Sequence, residues 1–247
     1  MPLAPIRIGV LLLESCQLLD LAAVDLLHMA TPEYLEDCGI PKPIYELGRP
    51  CKIHWIGRDG ADMQSPVTSN LSIRLTDSMT DPAVAPGSLD ALFLPGASPN
   101  SMPPAEEYLE FVRQHAAAGA AILAICTGTL IAAHAGLVKN KTVTAPRFLI
   151  PQMKKQFPEA KLWDDSVRLT HDGNLWMCGG IINGHDLVAA YLRANYAASV
   201  ANTVIAAAEL APRAVEYQTG PTRDVAYIVW QLIRALPHSI VRLLKGK

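Results

Sequence analysis

Residues 120–136, Ala-Ala-Ile-Leu-Ala-Ile-Cys-Thr-Gly-Thr-Leu-Ile-Ala-Ala-His-Ala-Gly, constrain the fold more than any other stretch of the chain. Ala121 to Ile125 is an apolar run of strand length, and Leu130 to Ala135 reads as a buried, alanine-rich helix. Cys126, Thr127 and Gly128 separate the two. A strand that turns sharply into a helix with a thiol at the corner has the geometry of a nucleophile elbow. N–H groups at a helix start carry partial positive charge and favour thiolate over thiol. The sharp turn also lifts the side chain out of the sheet toward a cleft. The same thiol fits a plainer role, since free Cys is among the most buried residue types and packs as a small hydrophobe. The pattern alone leaves both roles open.

The elements around this elbow alternate between strand and helix. Ile6–Leu13 reads as a buried first strand that runs into a polar turn, Glu14-Ser15-Cys16-Gln17. Leu18 to Leu27 opens an amphipathic helix with apolar residues at 18, 21, 22 and 26 on one face. Asp20 lies in its first turn, where an acid interacts favourably with the helix dipole. Residues 31–50, with four prolines and two glycines, read as a surface excursion suited to a lid or a dimer element. Cys51–Gly57 is a second strand, Met63–Leu75 a hairpin, and Leu89–Pro95 a strongly apolar strand that ends in Gly96-Ala97. His54 and Trp55 read as strand packing. Glu106–Ala118 is a helix leading into the elbow strand.

Beyond the elbow, Lys141–Thr144 reads as a short strand and Pro146–Phe157 as an amphipathic helix. A hairpin turning at Asp172-Gly173 joins Val167–Thr170 to Leu175–Cys178. Leu187–Leu210 is expected as one long helix, and Asp224–Leu236 as a last one, broken by Pro237 before a solvated basic tail. The order predicts an α/β fold, a mostly parallel central sheet with helices on both faces. One domain is expected, with its core over about 6–212 and a C-terminal helical extension over 213–247.

Composition bounds the function. Half of the 247 residues are hydrophobic, ample for a sizeable core. A net charge of −2 with no basic run predicts no nucleic-acid and no membrane partner. The five cysteines, at 16, 38, 51, 126 and 178, are odd in number and scattered, with no Cys-x-x-Cys and no zinc spacing. No metal and no disulfide framework are therefore expected, and a reducing, cytoplasmic compartment is the natural setting. The apolar stretch Ile8–Leu13 is too short for a signal peptide or a membrane span.

Taken together, four stretches resemble the ThiJ/PfpI superfamily, within the flavodoxin-like, class I glutamine amidotransferase-like fold. They are the first strand with Gln17-Leu18-Leu19-Asp20-Leu21, the run Ala91 to Gly96, Ala124-Ile125-Cys126-Thr127-Gly128 with its helix, and the Asp172 hairpin running to Cys178-Gly179-Gly180 and Asp186-Leu187. They span roughly 6–195 in the family's order. The resemblance implies Cys126 as nucleophile and Asp20 as the nearby acid that delivers a proton. It implies backbone N–H groups of Gly96, Ala97 and Thr127 as anion-stabilising donors. Cys178, Asn183 and His185 are candidate pocket residues. The residues bordering the pocket are expected to come from 31–50 and 98–104.

Two departures narrow the branch. Many relatives have a Gly pair where this chain has Gly96-Ala97, and the positions at which other branches place a His are Thr127 and Pro146. An Asp, a Cys-Thr-Gly elbow and no triad His look most like the isocyanide hydratase branch, although Thr144-Ala145-Pro146-Arg147 differs from its Thr-His-Trp. The implied activity is cofactor-free hydration of a small electrophile in a homodimer. Two alternatives remain: glyoxalase or deglycase chemistry on 2-oxoaldehydes, and a non-catalytic redox or stress sensor that uses an oxidisable Cys126.

Overall fold

The computed structural model describes residues 4–13 and 15–245, apart from the side chains at positions 99 and 237–245. Glu14, expected in the first polar turn, and the end of the basic tail lie outside the described residues. Seven strands form the central sheet: β1 Ile6–Leu11, β2 Cys51–Gly57, β3 Asp77–Ser78, β4 Ala91–Leu94, β5 Ala121–Ile125, β6 Leu169–Asp172 and β7 Leu175–Cys178. They lie in the order β6-β7-β5-β4-β1-β2-β3. Neighbours run parallel except β6 and β7, the hairpin turned at Gly173. This is the mostly parallel α/β sheet that the alternation of elements predicts, in the flavodoxin-like form that the resemblance implies.

The middle strands are continuous apolar runs because both of their faces are covered. Ala91–Leu94 and Leu175–Cys178 are buried at every position, as are Ile122 to Ile125 of β5. From β1 the chain winds outward to β2 and β3, then returns to the other side of β1 as β4. The carboxyl ends of β1 and β4 therefore diverge at a switch in winding direction. In open α/β sheets that crevice is where ligands bind.

The elbow follows from one close approach. Gly128 begins the helix Gly128–His134 directly against β4, and a β-carbon there would fall 2.0 Å from the Leu94 carbonyl oxygen. Only a residue without a side chain lets the helix start so near the sheet. Cys126, two residues earlier, takes a positive φ of 54°. Non-glycine residues adopt that region at a cost, and at functional turns such strain is held by surrounding structure.

Several boundaries differ from the sequence expectation. The single helix expected over Leu187–Leu210 is two, Asn183–Asn195 and Ala198–Ala207, because Tyr196 turns extended (φ −123°, ψ 163°) between them. The helix expected from Pro146 is confined to Ile150–Gln156, and Phe148 is 78% exposed instead of packed. Pro237 does not break the last helix, which runs Pro221–Lys245. Residues 31–50 hold two short helices, Pro32–Asp37 and Lys42–Tyr45, and Pro50 accepts the amide of Ile6 at the start of β1. They therefore sit at the amino-terminal edge of the sheet, opposite the elbow, and cannot form the wall of its pocket. The hairpin Gln64–Val67 with Leu71–Arg74 does reach the elbow's edge, where Thr68 Oγ1 accepts the Leu18 amide at 2.9 Å.

Gly128→Ala is expected to destabilise the fold by about 3 kcal/mol, since a methyl group on backbone cannot be relieved by a rotamer change. A urea unfolding midpoint equal to that of the wild type would show that the helix start can move.

Candidate active site

Three chain segments converge at the carboxyl end of the sheet. The loop after β1 leads into the short helix Leu18–Leu21, which carries Asp20. The turn after β4 carries Gly96 and Ala97, and the elbow after β5 carries Cys126 and Thr127. Gln17 N–H donates to the Gly96 carbonyl at 2.8 Å, tying the first two segments together. Thr127 Oγ1 donates to the Ala97 carbonyl at 2.7 Å, tying the second to the third. A β-carbon on Gly96 would lie 2.5 Å from Asp20 Oδ2, 2.8 Å from Thr127 Oγ1 and 3.3 Å from Cys126 Cβ. The carboxyl, the hydroxyl and the thiol-bearing carbon thus face one glycine.

Asp20 is fully buried. Its Oδ2 accepts the Gly96 amide at 2.7 Å, and its Oδ1 is buried with no hydrogen-bond partner among the described residues. Burial raises its pKa from 3.8 to about 7, only partly opposed by the Gly96 N–H. The carboxyl accordingly exchanges its proton near neutral pH, as a group that both takes and returns a proton must. Oδ1 is the oxygen left to carry it.

The half-buried Cys126 thiol does not follow the sequence expectation of a lowered pKa. Burial, reinforced by the Asp20 charge, pushes it up to about 11. The Thr127 backbone N–H pulls the other way and does not prevail. The helix start alone is too weak to offset desolvation, which disfavours any charged sulfur.

The anion-stabilising donors also divide. The Gly96 N–H is committed to Asp20 and is not free for a substrate oxyanion. Ala97 is buried and engages through its carbonyl, while the Thr127 N–H faces the Cys126 sulfur. Cys178 is fully buried, on the strand paired with β5, and accepts the Cys126 backbone N–H. It supports the elbow from beneath and does not line a pocket. Asn183 is spent on other partners, donating to the Tyr217 hydroxyl at 2.9 Å and accepting from Arg213 at 3.0 Å.

None of the histidines singled out from the sequence joins the thiol. His134 meets Phe157 edge-on at 4.9 Å and is held neutral by burial. His171 stacks on Trp176 at 3.6 Å at the far hairpin. His185 is also pushed toward neutrality by burial; Asp186, Arg213 and Ile182 are the neighbours that act on it, and its Nδ1 has no partner among the described residues.

Sequence reasoning missed the strap over 213–219. Tyr217 sits above Gly179, lies under the guanidinium groups of Arg147 (4.2 Å) and Arg168 (4.5 Å), and bonds Asn183. Arg213 pairs with Asp186. These contacts join residues 27 to 70 positions apart, and no local pattern announces them. Cavities among the described residues include one of about 110 Å³ beside Arg213 and Ile205 and one of about 460 Å³ beside Trp176 and Asn195. Neither is lined by Cys126 or Asp20.

Comparison with known proteins agrees with this architecture. Residues 26–194 match the DJ-1/PfpI family. The chain is 30% identical over 167 residues to an isonitrile hydratase of Pseudomonas putida, a match spanning 64% of this chain and 64% of that enzyme. Drosophila melanogaster DJ-1beta superposes with a TM-score of 0.66 at 19% identity, covering 84% of this chain and 100% of that one. An AraC family transcriptional regulator from Pseudomonas putida gives 0.65 at 18% identity, covering 83% and 100%. At such identities the likeness is one of fold.

The raised Asp20 pKa has a consequence for stability. Its neutral form is favoured in the folded chain, so its contribution is fully present below pH 4 and is lost as pH rises through about 7. Between pH 5 and 8 this group alone removes about 3 kcal/mol. In Asp20→Asn the fall in Tm over that range is expected to shrink, and an unchanged pH profile would mean that the carboxyl is solvated. The same variant removes a negative charge beside sulfur, so alkylation of Cys126 by iodoacetamide at pH 8 is expected to speed up. Slower alkylation would assign Asp20 as the group that activates the resting thiol.

Proposed function

The chain belongs to the DJ-1/PfpI family, and we propose that within it the protein is a cysteine-dependent hydratase of small electrophiles, with an isocyanide as substrate class. The observation that carries the reading is the buried carboxyl of Asp20, titrating near pH 7 across Gly96 from Cys126, with no histidine among the described residues bonded to the thiol. The relative at 30% identity is an isonitrile hydratase, the same chemistry under another name.

The reaction adds water across the terminal carbon of R–N≡C. As the Cys126 sulfur bonds to that carbon, its proton passes to the Asp20 carboxylate and from there to the same carbon. The product of this step is a thioimidate, R–N=CH–S–Cys126. Water then attacks the carbon while the carboxylate accepts one of its protons and the nitrogen gains one. The C–S bond breaks, the electrons return to sulfur with a proton, and R–NH–CHO leaves. One water is consumed and the thiol and carboxylate are regenerated. Splitting the addition this way replaces one hard step by two easier ones.

A high resting thiol pKa is compatible with this route. The S–H proton is itself consumed in the first addition, so no free thiolate has to accumulate in the low-dielectric crevice. Peroxide sensing draws on an accessible, low-pKa thiolate, and the half-buried Cys126 at about pKa 11 offers neither. The glyoxalase reading loses ground on the same absence of a histidine beside the thiol among the described residues.

Incubation with a small alkyl isocyanide is expected to yield the N-alkylformamide. Cys126→Ala is expected to abolish turnover while leaving the unfolding curve intact, and Asp20→Asn to lower kcat about a hundredfold or more with little change in KM. Formamide production undiminished in Cys126→Ala would overturn the nucleophile assignment. Turnover of 2-oxoaldehydes alone would move the protein to the glyoxalase reading, and stoichiometric oxidation of Cys126 by peroxide without any turnover would make it a sensor.

A further inference from the structure

The last helix, Pro221–Lys245, is 25 residues long, about 37 Å at the helical rise, and between Val225 and Leu236 it leaves its large apolar side chains in solvent. Val225, Ile228, Val229, Leu232, Ile233 and Leu236 are all exposed, Ile228 by 66% and Leu232 by 62%. Their spacing of i, i+3, i+4, i+7, i+8 and i+11 puts them on one broad face. Arg223 and Arg234 fall on the opposite side. Trp230 and Tyr227, also exposed, flank the two arginines on that opposite side.

Charge is segregated in the same place. Residues 221–247 hold five of the chain's 21 Lys and Arg but one of its 23 Asp and Glu, leaving 16 against 22 elsewhere. The net charge of −2, from which no affinity for an anionic surface is expected, conceals a terminal segment of +4 on a body of −6. A broad apolar face opposite arginines, on a basic segment, is an attribute of helices that lie in a bilayer interface. A two-stranded coiled coil fits less well. It uses a narrower seam of two positions per heptad, and Pro237 removes an amide from the helix's hydrogen-bond ladder. Among the described residues no helix is long and apolar enough to cross a membrane.

We propose that this helix is an interfacial anchor, lying along the surface of a bilayer that contains anionic phospholipid with its apolar face among the acyl chains. Its first turn is fixed to the body. Arg147, whose side chain is 8% exposed, donates through Nη1 to Asp224 at 2.7 Å and through Nη2 to the Thr219 carbonyl at 2.7 Å. A docked helix would therefore hold the acidic body, and the strap beside the candidate site, at a defined attitude to the surface.

The test is flotation of the full chain with vesicles of phosphatidylcholine alone or with roughly one third phosphatidylserine, a content that supplies the negative surface potential. Binding to the mixed vesicles is expected, about tenfold or more weaker on the neutral ones and released by high salt. Leu232→Asp and Ile228→Asp, which change exposed side chains and should preserve the unfolding curve, are expected to abolish it, and Arg234→Glu to weaken it. Equal partitioning of wild type and Leu232→Asp, or equal binding to both vesicle types, would overturn the proposal. So would a wild-type dimer that Leu232→Asp dissociates while neither protein binds vesicles, which would assign the face to a second copy of the chain.

Discussion

Burying the Asp20 carboxyl is unfavourable, and one amide hydrogen bond offsets only part of the cost. The rest of the site depends on that imbalance. The Gly96 amide can reach the carboxyl because Gly96 has no side chain; a methyl group would stand 2.5 Å from Oδ2. The second carboxyl oxygen, left without a partner among the described residues, keeps the group near its neutral form and so able to exchange a proton at ordinary pH. Had a histidine or arginine been placed beside it, the carboxylate would be locked in its charged state.

The thiol answers to the same low-dielectric surroundings. A helix start favours thiolate by a modest amount that fades within a turn, whereas burial acts on the whole charge. When the two compete, burial prevails and Cys126 rests protonated. Carboxyl and thiol then face one low-dielectric crevice from either side of Gly96. The elbow that holds them depends in turn on backbone: Gly128 against the Leu94 carbonyl, and the Cys126 amide directed to the buried Cys178 sulfur.

The sheet was largely legible before any coordinate was known. Ile6–Leu11, Ala91–Leu94 and Ala121–Ile125 are short apolar runs bounded by Gly, Pro or polar turns, and periodicity over a few residues suffices to recognise them. The elbow was legible for the same reason, as was the Asp172-Gly173 hairpin. Legibility failed where no local signal exists. Tyr196 interrupts a run of alanine-rich helix without a glycine or proline, and residues 31–50 look like a lid when read alone. Their position at the opposite edge follows from the winding of the chain, since a crossover after β1 must return to the sheet's amino-terminal end before β2 begins.

For this chain, then, local order in the sequence determined the α/β class, the strand–Cys–helix turn and the identity of a candidate thiol and acid. Tertiary structure alone decided how those groups behave. Desolvation is a property of everything packed around a side chain, so neither the Asp20 proton near pH 7 nor the protonated Cys126 could be read from neighbours in sequence. The Gly96 amide looked like an oxyanion donor until the fold brought a carboxylate 76 residues away within 2.7 Å of it. Hydrogen bonds and charges act through space, and only the folded chain sets those distances.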